Sequence, residues 1–242
     1  MTGVEVSAFG SERAPAGGWR TATVASRTPA ARGAVLRLTV PDRVQHWPGQ
    51  HYVVRLTADD GYTAQRSYSI ASAPADPLLE LYVENLPDGE VSGYLTEVAA
   101  AGDSLEVRGP IGGWFVWRAD TPALGIGGGS GVVPLIAMLR HARDLDATAL
   151  LRLAVSARAL ADLPYADELL ASGATLLLTR ERSPAGRPPG RLVPADLDPL
   201  LAPGQRILVC GSAGYAETVS TDLLGLGVEP TAVRVERFGP TG

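Results

Sequence analysis

The chain has 242 residues, which suits one large domain or two compact ones. Its apolar share of 45% is enough for a full core, and a net charge of −5 argues against a nucleic-acid-binding role, which needs a basic face. A single cysteine, Cys210, rules out a disulfide framework and a cysteine-ligated metal or iron–sulfur site within the chain, and it fits a reducing, cytoplasmic setting.

Residues 1–18 are small and polar with no apolar signal-peptide segment, and they read as a flexible N-terminal tail. No apolar run approaches the ~18 residues of a membrane span. From there to residue 118 short strand-like runs alternate with turns. They cover 35–40, 52–56, 79–83 and 105–107. Leu36, Leu38 and Val40 share one face, with Arg37 and Thr39 on the other, which is the period of a strand. Pro48-Gly49, Asp59-Asp60-Gly61, Pro87-Asp88-Gly89 and Gly109-Pro110 supply turn chemistry between them. Many short strands at such spacing predict an antiparallel β-barrel or sandwich.

Within this half, Arg66-Ser67-Tyr68-Ser69 opens a strand-like run that ends at Ser72. In a strand Arg66 and Tyr68 face one way, Ser67 and Ser69 the other. Arginine can clamp a phosphate with two donors, tyrosine can lie on an aromatic ring, and a serine hydroxyl can reach a ring nitrogen. A half-buried strand with a surface arginine fits the same four residues.

After residue 119 the pattern becomes βαβα. Strands are expected at 123–126, 149–155, 175–179, 207–210 and 232–236, with helices at 132–143, around 165–170 and at 213–226. This alternation predicts a doubly wound α/β parallel sheet, with 118–122 as the linker. Gly127-Gly128-Gly129-Ser130-Gly131 lies between the first of these strands and its helix. Glycines admit close approach of a ligand, and the helix start offers free N–H groups to a pyrophosphate. A glycine-requiring turn without a ligand is the plain alternative. The Walker A lysine is missing, so a P-loop NTPase is excluded.

Taken together and in this order, Arg66/Tyr68/Ser69, the turn from Gly127 to Pro134 and the pair Cys210-Gly211 resemble the ferredoxin–NADP reductase family. The nearest likeness is to stand-alone bacterial relatives of oxygenase reductase components, and it runs from about Trp19 to the C-terminus. The resemblance implies an FAD-binding barrel over 19–118 and an NAD(P)-binding α/β domain over 119–242. It implies that Arg66 holds the FAD pyrophosphate, that Tyr68 lies on the flavin and that Ser69 bonds near flavin N5. Gly89, Val91 and Ser92 correspond to the family's second phosphate segment, with the Ser92 hydroxyl on the pyrophosphate. Tyr82 and Val83 lie on the strand that flanks the flavin or adenine. Gly128, Gly129, Ser130 and Gly131 would hold the nicotinamide cofactor's pyrophosphate. Cys210 and Gly211 would sit beside the nicotinamide, and Phe238 would cover the flavin as a movable aromatic.

The residue that reads the 2′-ribose position follows the second parallel strand. Ser156 and Arg158 stand there, with Arg180 after the next strand, and they suit the 2′-phosphate of NADP, with NAD left open. The reading is an FAD-dependent NAD(P)H oxidoreductase in which Ser69, Cys210 and Phe238 serve the transfer. With one cysteine it must pass electrons to a separate acceptor, such as a ferredoxin, a haem protein or another redox protein. A flavin or quinone reductase with a diffusible acceptor is the runner-up. A non-catalytic flavin- or nucleotide-binding module is the reading from another class. No metal is expected.

Overall fold

The computed structural model describes residues 17–239, so nearly all of the expected tail lies outside the described residues. The first half forms six antiparallel strands: β1 (Arg20–Ala30), β2 (Gly33–Thr39), β3 (His51–Thr57), β4 (Thr63–Ser69), β5 (Leu79–Glu84) and β6 (Ser104–Ile111). They are ordered β4-β3-β6-β1-β2-β5. The two end strands meet only past the tip of β4, where Ile70 bridges Leu81 and the Ala71 N–H donates to the Glu80 carbonyl at 2.8 Å. The sheet thus closes into a barrel with one gap beside β4. A helical turn, α1 (Glu90–Gly93), continues into a wider turn over Tyr94–Val98 and packs beside β4. Its Val91, with Leu95 beyond it, completes the barrel core of Leu36, Leu38, Leu79, Leu81 and Tyr52.

The second half contains β7 (Ala123–Gly128), α2 (Val133–Asp144), β8 (Leu151–Ala157), α3 (Ala166–Ala171) and β9 (Thr175–Leu178). It ends with α4 (Pro194–Leu197), β10 (Arg206–Ser212), α5 (Ala213–Gly225) and β11 (Val233–Phe238). All its strands are parallel, in the order β11-β10-β7-β8-β9. The central strands are apolar because helices cover both faces. Strand order reverses between β7 and β10, and the crevice above their carboxyl ends is where open parallel sheets take ligands. α2 is buried on nearly every side, from Val133 to Ala142, because it lies between the sheet and the barrel.

Two expectations shift. β1, with eleven residues, was not anticipated. Only Ala22 and Val24 are buried along it, and a bulge between Val24 and Ser26 breaks the alternation that would reveal a strand. Arg66 to Ser69 close β4 instead of opening a strand, and past them only Ile70 and Ala71 continue the pairing, on Leu81 and Glu80.

Candidate functional site

β4 pairs with β3 along one edge, with Tyr68 opposite Tyr52 and Ser69 opposite His51. Its other edge is free until Ile70, so every side chain from Thr63 to Ser69 keeps some exposure. Arg66 is exposed. Its guanidinium donates only to the neighbouring Gln65 carbonyl at 2.7 Å and pairs with no carboxylate among the described residues. Tyr68 leans on the barrel core, and burial pushes its hydroxyl well above the usual range. Neither that hydroxyl nor the hydroxyl of Ser69 has a hydrogen-bond partner among the described residues. A cation and two hydroxyls thus stand on one strand end with donors to spare.

Next to this strand, Gly89 opens α1. Ser92 is buried there, and its hydroxyl donates to the Gly89 carbonyl at 3.2 Å and accepts from the Leu86 N–H at 3.4 Å. It locks the turn from inside, which leaves the first-turn backbone N–H groups as the donors that face outward. Val91 points into the barrel, as does Val83, so these two can meet a ligand only through backbone. A groove of about 620 Å³ lies on this turn, lined by Arg32, Asn85, Asp88, Gly89 and Glu90 among others. A second groove of similar size lies at the amino-terminal end of the parallel strands, around Arg206 and Val228. Open parallel sheets take their ligands at the opposite, carboxyl end.

At the β7/β10 switch point the glycine turn is tightly constrained. A Cβ on Gly131 would come within 2.2 Å of the Cys210 carbonyl oxygen, so only glycine lets the turn after β7 pack against β10 there. Gly129 has φ +58° and open space where a side chain would be. Tyr215, from the first turn of α5, lays its ring across Gly128 and Gly211, and its hydroxyl donates to the Gly127 carbonyl at 3.1 Å. Burial pushes that hydroxyl up to about 12, with the nearby Ser156 hydroxyl opposing the shift. Ser130 donates across the seam to the Glu84 carboxylate at 2.8 Å.

Cys210 is fully buried in the apolar layer against which Phe238 also packs. Burial pushes its thiol far up, and Glu236 adds to the shift. Glu236 is the direct partner of Cys210 on β11, and its own burial lifts its carboxyl to about 7. Phe238 pairs with Ser212 at the strand's end. Beyond β8 and β9, Arg158 and Arg180 are both exposed and held side by side, the Arg180 N–H donating to the Arg158 carbonyl at 2.9 Å.

The two halves meet where Ala71 and Tyr82 of the barrel pack on Val133 at the start of α2. Tyr82 is buried, its hydroxyl pushed up to about 12 chiefly by that burial, and its ring meets Tyr165 edge-on at 6.3 Å. The strand that carries Ser69 and the helix that follows the glycine turn therefore flank one seam. Sequence reasoning missed Tyr215, Glu236 and Glu84. The only available signals were an aromatic four residues after Gly211 and an acid two residues before Phe238.

Residues 24–116 match the model of the oxidoreductase FAD-binding domain. The chain is 29% identical over 220 residues to the ferredoxin–NAD(P)+ reductase component of a naphthalene 1,2-dioxygenase/salicylate 5-hydroxylase system from Ralstonia sp. That match covers 86% of this chain and 65% of the relative. It is 34% identical to the glycine betaine monooxygenase reductase subunit of Chromohalobacter salexigens, over 80% of this chain and 56% of that one. Among solved structures, an Amycolatopsis cytochrome P450 reductase superposes with a TM-score of 0.77 at 26% identity, covering 93% of this chain and 71% of the other. These matches agree with the resemblance to the ferredoxin–NADP reductase family carried by Arg66/Tyr68/Ser69, the glycine turn and Cys210-Gly211. The chain spans less than two thirds of the length of these two curated relatives.

The barrel is accordingly an FAD-binding domain, and the unpartnered donors on β4 and the first turn of α1 fit a flavin dinucleotide. Among the described residues no helix is long and apolar enough to cross a membrane, and no cluster of His, Cys, Asp or Glu could hold a metal.

Proposed function

We propose that the chain is an FAD-dependent NAD(P)H oxidoreductase that passes electrons to a separate redox protein. The observation that carries this reading is the seam itself: β4's tip and the β7/β10 switch point, each bearing groups suited to a different dinucleotide, are joined through Ala71, Tyr82 and Val133. FAD supplies a two-electron acceptor that can release its electrons one at a time.

The chain's own residues hold and align. Arg66 and the amides of residues 90–92 bind the flavin's pyrophosphate; Tyr68 supports its ring, and Ser69 offers a hydroxyl at the reacting edge. Gly129, with open space where a side chain would be, lets a second pyrophosphate approach the amino terminus of α2. Arg158 and Arg180 clamp a 2′-phosphate, which favours NADPH over NADH. For a nicotinamide ring to reach Cys210, Phe238 moves off the apolar layer, and Phe238 shields the same place from water when no nucleotide is bound. Glu236 stands opposite Cys210 on the neighbouring strand, its carboxyl lifted to about 7 by burial. The roles of the relatives as oxygenase reductase components support a partner such as a ferredoxin, a haem protein or an oxygenase. A lone buried thiol supports a cytoplasmic location.

The test is anaerobic mixing in a stopped-flow instrument. The protein with FAD is yellow, NADPH bleaches it, and the colour returns faster with a ferredoxin or haem protein than with free flavin. A colourless protein that takes up no FAD overturns the reading.

A further inference from the structure

Glu80 is a carboxylate of β5 that is only 7% exposed, in a strand of otherwise buried Leu, Tyr and Val. A charge so placed is costly unless it is paired, so its partners identify its role. From the barrel, Arg37 lies 3.6 Å from one of its oxygens. From the parallel-sheet half, Arg140 of α2 donates to the other oxygen at 2.7 Å, and the Tyr165 hydroxyl donates to that same oxygen at 3.0 Å.

The Arg140 Nη1 that reaches Glu80 also donates to the Ala71 carbonyl at 3.0 Å, and its Nε and Nη2 bind Glu168 of α3 at 3.1 and 2.6 Å. Ala71 stands two residues after Ser69 and pairs with Glu80 through its own N–H. One guanidinium thus ties the helix that follows the glycine turn to the backbone that carries Ser69.

Tyr165 adds an independent sign. Its φ of +59° is left-handed, an uncommon state for a bulky residue. Such conformations persist where the surroundings over-determine them, often at clamps and switch regions. In this seam the hydroxyl is held by Glu80, the ring abuts Tyr82, and the Arg140 guanidinium lies 5.0 Å from the ring centre.

We propose that Glu80, Arg140 and Tyr165 form a positioning node that sets α2 and its glycine turn in register with residues 69–71, so that groups bound at the two ends of the seam meet in reactive alignment. This rests on the reductase reading above. The node touches neither Arg66 nor the glycine turn, so it acts on alignment and leaves binding alone. A misplacement of about 1 Å at such a seam can cost as much as ~100-fold in rate.

The experiment compares wild type with Glu80→Gln, Glu80→Asp and Tyr165→Phe, the last keeping the ring on Tyr82. Three readouts are taken on the FAD-loaded protein: hydrogen exchange of amides 69–72 and 133–140, NADP+ affinity by titration, and the rate of flavin bleaching by NADPH. Exchange should rise in Glu80→Gln and Tyr165→Phe, NADP+ affinity should stay within about twofold, and bleaching should slow by about tenfold and threefold respectively. Glu80→Asp, which keeps the charge, should recover part of the rate. An unchanged bleaching rate in Tyr165→Phe overturns the node, and so does a rate loss matched by an equal loss of NADP+ affinity or unaccompanied by faster exchange. If Glu80→Gln fails to fold, Tyr165→Phe alone decides. A wild type that neither NADPH nor NADH bleaches removes the reductase reading and this inference with it; a wild type bleached normally beside equally fast variants removes only this inference.

Discussion

The two sides of the seam hold their site residues in opposite states. Along β4 and α1 the polar groups stand open: Arg66 is exposed and unpaired, and the hydroxyls of Tyr68 and Ser69 have no partners among the described residues. Across the seam the corresponding space is taken by the protein itself. Tyr215 covers Gly128 and Gly211, Cys210 is fully buried, and Ser130 is bonded to Glu84. The barrel side is a standing socket that a resident cofactor can fill once and keep. The sheet side is closed by its own side chains, which under the proposed function suits a nucleotide that displaces them and leaves again at every turnover.

If close packing is what defines the sheet side, its most sensitive point is Gly131. An alanine there would press a methyl group against the Cys210 carbonyl, which is backbone and cannot swing away. Overpacking of this kind should cost about 3 kcal/mol, which for a chain of this size lowers Tm by roughly 6–12 °C. Gly129→Ala faces open space and should cost only about 1 kcal/mol, from its positive φ. Thermal unfolding of the two variants side by side measures this, and equal Tm values would remove the contrast. On the open side, Arg66→Ala should leave the apoprotein's Tm unchanged but weaken FAD retention by about 10–100-fold, the loss expected for charge-assisted hydrogen bonds. The flavin-to-protein absorbance ratio after gel filtration reports it; equal occupancy in variant and wild type would mean that Arg66 does not hold the phosphate.

This contrast also explains what could be read from the sequence. The parallel half was legible because its strands are buried on both faces and read as apolar runs, as at 123–126 and 207–210. In the barrel, β2 showed itself through the alternation of Leu36, Arg37 and Leu38, while β1 did not, because its inward positions are small and a bulge reverses its phase. Local motifs were legible for a related reason: Arg66 to Ser69 and the glycine turn are contiguous in the chain. Tyr215 over Gly128, Glu84 on Ser130 and Glu236 beside Cys210 are long-range pairings that no local pattern encodes. The inward turn of the Ser92 hydroxyl likewise depends on a tertiary detail, the backbone of residues 86–89 folding back over it.

Glu236 allows a test of how closed the sheet side is, because its displacement from the usual 4.5 to about 7 comes from burial alone. The folded state binds this proton more tightly than the unfolded chain does. Its contribution to stability is therefore complete below about pH 4.5, shrinks as the pH rises, and is lost above about pH 7. Allowing for partial exposure, the difference amounts to about 1–2 kcal/mol. Glu236→Gln should flatten the stability curve between pH 4.5 and 7 and exceed wild type in stability at pH 8, as read from urea unfolding across that range. Parallel curves for the two proteins would mean that the carboxyl is solvated and the edge of the sheet is open.

The smallest effect belongs to the rim, where neither side of the comparison governs. Arg158 and Arg180 are exposed, and their backbones hold them together at the ends of β8 and β9. An exposed guanidinium is screened by water and salt, so one contact to a 2′-phosphate contributes about 1 kcal/mol. Arg158→Ala should therefore raise KM for NADPH by about fivefold and leave KM for NADH unchanged. The effect should shrink as ionic strength rises, since the Debye length falls from about 10 Å at 0.1 M to about 3 Å at 1 M. Salt dependence separates this from a packing defect, which would raise both KM values and persist in high salt. If the ratio of the two KM values does not move in low salt, the paired arginines do not read the phosphate.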